Sequence, residues 1–234
     1  MNIVAIIPAR GGSKRIPKKN IKDFFGKPLI TYPIDIALKS KLFSRVIVST
    51  DDEEIAKVAR EYGAEVPFIR PKSLSDDFTG TGVVVKHALS ELNRENYHVD
   101  FVCTIYATAP LLQINYLKEG LEKLKASNAA MAFSVTSMPF PIQRTFKITQ
   151  EKRCEMFTAQ HFTSRSQDLE VAYQDAGQFY WENLKIKSND IAFGKDSIPI
   201  ILPRHLVQDI DTLEDFKRAE LMYEVVQKMQ EEEK

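Results

Sequence analysis

Ile3-Val4-Ala5-Ile6-Ile7-Pro8-Ala9-Arg10-Gly11-Gly12-Ser13-Lys14-Arg15-Ile16-Pro17-Lys18-Lys19-Asn20 is an apolar run that opens into a loop of glycines and cations. The unbroken run Ile3 to Ile7 reads as a strand buried on both faces. Gly11 and Gly12 permit backbone angles that let a chain fold closely around a ligand. Arg10, Lys14, Arg15, Lys18 and Lys19 surround them. A buried strand that ends in a cationic, donor-rich loop suits a polyphosphate, because N–H groups bind the oxygens and side chains offset the charge. The spacing is neither Gly-x-x-x-x-Gly-Lys-Ser/Thr nor Gly-x-Gly-x-x-Gly. A solvated basic turn and a nucleic-acid patch are the other readings of these residues.

The rest of the composition makes that charge local. Lys plus Arg equal Asp plus Glu at 32 each over 234 residues, so no global field draws the chain to nucleic acid or to a membrane surface. The length suits one large α/β domain, residues 1–234, with one excursion. Cys103 lies in an apolar run far from Cys154, which suggests a buried free thiol in a reducing compartment. No charged leader precedes the first strand, and no apolar stretch approaches the roughly 20 residues of a membrane span. A cytoplasmic protein is expected.

Along the chain, strand and helix patterns alternate. Val46 to Thr50 is a second strand, and Asp51-Asp52-Glu53-Glu54 opens a helix that Gly63 stops. Gly26 marks a turn, and Pro28 fits the first turn of the preceding helix, which extends to about Ser40. Val66-Pro67-Phe68-Ile69 reads as a short edge strand. A helix over Val83 to Leu92, a buried strand over Asp100 to Tyr106, a helix with Ile114, Leu117, Leu121 and Leu124 on one face, and a strand over Ala129 to Val135 follow. This alternation predicts a doubly wound, mostly parallel sheet with helices on both faces. From Ser137 to about Trp181 it fails, and the stretch reads as an excursion of hairpins and loops, a lid or subunit contact. The pattern resumes at Ile198 to Leu202, and a last helix starts near Asp211.

In such sheets ligands sit beyond the carboxyl ends of the strands. Four loops should therefore meet: Arg10 to Asn20, Arg70 to Gly82, Tyr106 to Pro110 and Gln208 to Asp211. Asp209 and Asp211 are two apart, so in an extended segment their carboxylates share a face and can hold Mg²⁺. Asp211-Thr212-Leu213-Glu214 also resembles a capping box, which would make Asp211 only a helix cap. Arg70 and Thr81 could reach the edge of a flat base, although Thr79 or Thr81 could equally cap a helix. Arg165 could grip a carboxylate by a two-pronged contact, and its neighbours offer amides and hydroxyls. The four histidines and two cysteines have no metal-ligand spacing, and no Gly-x-Ser-x-Gly elbow is present.

These motifs together resemble the acylneuraminate cytidylyltransferases. The likeness rests on Ile6 to Asn20, Ile47-Val48-Ser49-Thr50-Asp51-Asp52, Arg70-Pro71 with Leu74-Ser75-Asp76-Asp77, and Gln208-Asp209-Ile210-Asp211-Thr212, in that order. The chain departs at Ile105-Tyr106-Ala107-Thr108-Ala109-Pro110, where members that activate sialic acid usually read Leu-Gln-Pro-Thr-Ser-Pro. With Arg165-Ser166-Gln167-Asp168-Leu169-Glu170 and Asp175-Ala176-Gly177-Gln178-Phe179-Tyr180-Trp181, that variant looks like the branch whose sugar is pseudaminic acid. Tyr106 stands in place of the family's glutamine, so no contact of that glutamine carries over.

The resemblance implies a nucleotide-diphospho-sugar-transferase-like fold, a homodimer built through the excursion, and CTP with Mg²⁺. The anomeric hydroxyl of a nonulosonic acid would attack the α-phosphate of CTP, giving the CMP-sugar and pyrophosphate. Arg10, Gly11, Gly12, Ser13, Lys14, Lys19 and Asn20 would hold the phosphates and ribose. Arg70 and Thr81 would read cytosine, with Thr108 also on the nucleotide side. Asp209 and Asp211 would hold Mg²⁺, and Arg165, Gln178 and Tyr180 would meet the sugar acid. Sialic or legionaminic acid as the acceptor, or a non-catalytic protein that binds nucleotides or nucleic acid, are the alternatives.

Overall fold

In a computed structural model that describes residues 1–186 and 193–232, the alternation of the sequence becomes one central sheet. Its strands are β1 (Ile3–Pro8), β4 (Arg45–Ser49), β5 (Phe101–Ile105), β6 (Met131–Ser137), β9 (Tyr173–Asn183) and β10 (Ser197–Leu202), in the order β10-β6-β9-β5-β1-β4. β1 pairs in parallel with β4 and β5, and β10 pairs in parallel with β6. β9 runs antiparallel between β5 and β6.

Both faces of β1 are buried. Ile3, Ala5 and Ile7 join the core formed with α1 (Thr31–Ser40), α2 (Glu53–Glu61) and α4 (Ile114–Lys125). Val4 and Ile6 face α3 (Thr81–Arg94) through Val85, Ala88 and Leu92. A continuous apolar strand is therefore the expected central strand of a sheet covered on both sides. The last helix, α5 (Leu213–Glu232), packs instead on loops that leave strand ends: Phe216 and Ala219 meet Ile16 and Ile210, and Val226 meets Leu111 and Leu206.

Several local expectations need correction. Pro28 is not in a helix. It pairs with Asp23 in a tight hairpin of β2 (Asp23–Phe24) and β3 (Lys27–Pro28), where Phe25 and Gly26 both take positive φ, at 50° and 79°. Pro33 instead occupies the first turn of α1, where a missing N–H costs nothing. Val66 to Ile69 forms no strand. Only Glu65 bridges to Ile47, after which Pro67 has no N–H to extend the ladder along edge strand β4.

The largest correction is β9. The excursion holds a short hairpin, β7 (Phe146–Ile148) with β8 (Cys154–Met156), but Tyr173 to Trp181 lies in the middle of the main sheet. Its period is hidden by a bulge. Between Phe133 and Val135 the register of β6 and β9 slips, and Gly177 takes φ 62°. Ser134 stands opposite the four residues Ala176 to Phe179, and its hydroxyl oxygen accepts from the N–H groups of Gln178 (3.3 Å) and Phe179 (3.2 Å).

Past the bulge, the fully buried Trp181 anchors α4: its Nε1 donates to the Leu117 carbonyl at 3.1 Å, and its ring lies against Gly120. A methyl group on Gly120 would approach Trp181 Cδ1 to 2.8 Å. Gly120→Ala should therefore destabilise the protein by about 1–3 kcal/mol, even though alanine favours a helix over glycine by up to about 1 kcal/mol. Thermal unfolding checks this, and a raised melting temperature would contradict it.

Candidate functional site

The four loops meet. The chain after β1, the segment Arg70–Thr81, the end of β5 and Asp209–Asp211 together line one cleft of about 630 Å³. Arg10, Ser13, Lys14, Lys19, Asn20, Arg70, Thr81, Thr108, Asp209 and Asp211 all face it, so most of the residues expected to bind nucleotide and metal are brought together. Such a volume falls in the range of small-molecule sites.

The first loop is shaped by polar contacts at its base. Asn20 is buried, and its Nδ2 donates to the Arg10 carbonyl at 3.0 Å, closing the loop on itself. Gly11 serves packing rather than ligand approach. Its N–H donates to Asp51 Oδ1 at 3.0 Å, and a Cβ there would meet Asp52 Oδ2 at 2.6 Å. Asp52 cannot withdraw, because it caps α2 by accepting from the N–H groups of Glu54 (2.9 Å) and Ile55 (3.0 Å). Gly11 and Gly12 are not among the cleft-lining residues.

Arg70 is only 3% exposed. Its Nη2 lies 3.6 Å from Asp51, and its Nε donates to Ser75 Oγ at 3.0 Å. Burial lowers its pKa, which the Asp51 carboxylate opposes. Asp51 thus braces both the glycine loop and the buried arginine. Thr81 is the first residue of α3 behind Gly80, which gives no side-chain cap. Asp76 organises the turn before it, its Oδ1 accepting from the N–H groups of Phe78 and Thr79 and from the Thr79 hydroxyl. Neither threonine caps the helix, which leaves Thr81 free to face the cleft.

On the other wall, Ile210 is fully buried between Asp209 and Asp211. Lys19 reaches across to donate to the Ile210 carbonyl and lies 3.6 Å from Asp211. Arg15 Nη2 donates to Asp211 Oδ1 at 2.7 Å. Asp209 keeps solvent at its surface but sits deep enough that burial raises its pKa, followed by the charge of Asp211 and against the charge of Lys19. Two hard, mutually repelling carboxylate oxygens on one short segment fit a small divalent cation, which usually takes one or two carboxylates and completes its shell with water and phosphate. Among the described residues no three His, Cys, Asp or Glu side chains gather elsewhere as a metal centre.

The cap belongs to other residues. Thr212 is the N-cap of α5: its hydroxyl accepts from the Asp215 N–H at 3.2 Å, and Asp215 Oδ2 accepts from the N–H groups of Thr212 (2.8 Å) and Asp211 (3.2 Å). The capping-box reading of Asp211 is therefore overturned, because the box sits one residue later.

The three residues expected to meet the sugar acid are not part of this cleft within one chain. Arg165 is paired with Asp168 at 2.7 Å on the excursion. Gln178 is buried and donates through Nε2 to the Leu206 carbonyl. The Tyr180 hydroxyl donates to Asp175 at 2.6 Å, and burial, then Asp175, raise its pKa. Tyr106 does line the cleft, with its ring 5.2 Å from that of Tyr180. Arg15, Asp76, Asp77 and Thr79 also line it. In the sequence Arg15 stands only as one of five cations in the loop, Thr79 as a candidate helix cap and Asp76 and Asp77 as part of a motif, with no ligand contact assigned to any of the last three.

A family model described as cytidylyltransferase matches residues 4–232. The chain is 48% identical to a pseudaminic acid cytidylyltransferase of Campylobacter jejuni, over 96% of this chain and 97% of that one. It is 30% identical to a CMP-N,N'-diacetyllegionaminic acid synthase of Legionella pneumophila, over 97% and 98%. In structure it resembles a CMP:2-keto-3-deoxy-manno-octonic acid synthetase solved with CTP, at a TM-score of 0.67 and 14% identity over 95% and 98% of the two chains. That last likeness shows the fold.

The reassigned cap is testable by stability alone. Thr212→Ala should cost about 1 kcal/mol, and Asp211→Ala, which breaks only partly exposed ion pairs to Arg15 and Lys19, should cost less. Chemical denaturation of both variants decides it, and a larger loss in Asp211→Ala would restore the cap to Asp211.

Proposed function

The chain belongs to the cytidylyltransferase family, and we propose that it joins pseudaminic acid to CTP in the cytoplasm, releasing pyrophosphate and a CMP-sugar. The observation that carries this is the meeting of Arg10, Lys14 and Lys19 with Asp209 and Asp211 in one cleft, in a chain so close to a pseudaminic acid cytidylyltransferase over its full length.

Each residue then has a task that its environment supports. Arg10, Lys14 and Lys19, with Ser13 and Asn20 beside them, hold the triphosphate and offset the charge that builds on departing pyrophosphate. Arg70, fixed by burial and by Asp51, and Thr81, at the start of α3, face the base. Thr108, which also lines the cleft, is assigned to the nucleotide side. Mg²⁺ on Asp209 and Asp211 would supply further charge neutralisation at the reacting phosphate. The transfer needs alignment and charge neutralisation more than covalent help. Lys19, tied to the Ile210 carbonyl, keeps the cationic and acidic walls at a fixed separation.

The excursion supports a homodimer. Phe140, Phe146, Ile148, Phe157 and Phe162 are all more than half exposed there, an apolar surface suited to a second copy. Arg165 remains a candidate for the sugar carboxylate on that excursion, and Gln178 and Tyr180 on the neighbouring strand. No helix among the described residues is long and apolar enough to cross a membrane.

Pyrophosphate release with CTP across pseudaminic, legionaminic and sialic acids tests the reading. Pseudaminic acid should be the preferred acceptor, and release with sialic acid alone would overturn that choice. Arg10→Ala should lower turnover roughly 100-fold with its melting transition kept. Loss of that transition would make Arg10 a structural residue.

A further inference from the structure

The cations of the first loop already have a counter-ion. Asp77 accepts from Arg10 Nη1 at 2.6 Å on one carboxylate oxygen, and Lys14 donates to the other. Arg10 also donates to the Asp76 carbonyl at 2.8 Å. All four residues line the cleft. A bidentate carboxylate held by an arginine and a lysine occupies the chemical place of a phosphate oxygen pair, and both carboxylate oxygens are used. The adjacent Phe78 is 95% exposed, so the tip of this segment buries no aromatic ring to hold itself there. Its attachment to the first loop runs through the charges. The two cations in turn hold the Asp77 carboxyl below its usual range.

We propose that Asp77 is an intramolecular anion that a polyphosphate must displace from Arg10 and Lys14, and that it thereby holds down affinity for phosphate ligands and speeds their release. This rests on the reading of the cleft as a nucleotide site. A triphosphate brings several anionic oxygens to both cations and replaces what Asp77 gives up. A single phosphate, such as the one in the nucleotide part of the product, gives the two cations little more than Asp77 already gives them, so Asp77 returns and release is favoured. Asp77 acts on affinity through the cations and does not touch the reacting atoms.

Inorganic tripolyphosphate and CMP are the probes, titrated calorimetrically into the wild type, Asp77→Asn, Asp77→Ser and Arg10→Ala. Both Asp77 variants should bind tripolyphosphate roughly fivefold tighter, the scale of losing a competing exposed ion pair. CMP, which displaces Asp77 at most as fully, should gain no more than tripolyphosphate does. In steady state the KM for CTP should fall and kcat should change little or fall with slower release. Equal or weaker tripolyphosphate binding in both Asp77 variants, with Arg10→Ala clearly weakened, would overturn this inference and leave the nucleotide site standing, since Asp77 would then orient the cations. Unchanged binding in Arg10→Ala would overturn the nucleotide reading and this inference with it.

Discussion

One lysine ties the beginning of the chain to its end. Lys19, in the loop after β1, donates to the carbonyl of Ile210, 191 residues away, and its charge lies 3.6 Å from Asp211. The contact is only 18% exposed on the lysine side, so water screens it less than a surface pair. An apolar joint backs it. Ile16 of the first loop and Ile210 of the last lie in one buried cluster with Phe24, Leu29, Phe216 and Ala219. Phe24 sits edge-on to Tyr32, Phe216 and Tyr223 at 5.2 to 5.6 Å, which locks the hairpin after the loop onto α5. Alternate residues thus do different work: Ile16 and Ile210 point into the joint while Arg15, Asp209 and Asp211 face the cleft.

Charge balance in the cleft follows from the same constraint. Arg10 and Lys14 are held by Asp77, Arg15 by Asp211, and Arg70 by Asp51. A chain with no net charge can still concentrate cations in one place if each has a carboxylate beside it. On the proposed reading, the site's charges are stored in pairs that an anionic ligand and a divalent cation would exchange for other partners. It also explains why a basic loop of this kind need not mark a nucleic-acid surface.

The fold was legible where burial is continuous. Ile3–Ile7, Val46–Ser49 and Phe101–Ile105 are apolar runs because the sheet is covered on both sides, and the loops that leave them carry the site because strand ends point there. β9 was not legible, since the bulge at Gly177 and Ser134 shifts its alternation and leaves polar residues in a central strand. The cap of α5 was misplaced by one residue because Asp211 and Thr212 are both competent caps and only geometry chooses. The braces Asp51 and Asp77 were invisible for another reason: their partners are distant in sequence, so no spacing rule reports them. Arg165, Gln178 and Tyr180 were read from their motifs, yet in one chain they lie outside the cleft, where their hydrogen-bonding groups are already engaged by Asp168, Leu206 and Asp175.

The central claim is that the cationic loop and the late acidic segment form one site for a nucleotide with its metal. The most direct measurement is the CTP dissociation constant with and without Mg²⁺, in the wild type and in Asp209→Asn, by titration calorimetry. The account predicts that Mg²⁺ tightens CTP binding to the wild type and that Asp209→Asn loses most of this gain while binding metal-free CTP at least as well, because one repelling carboxylate is gone. An equal Mg²⁺ effect in both proteins would contradict it and separate the acidic segment from the nucleotide.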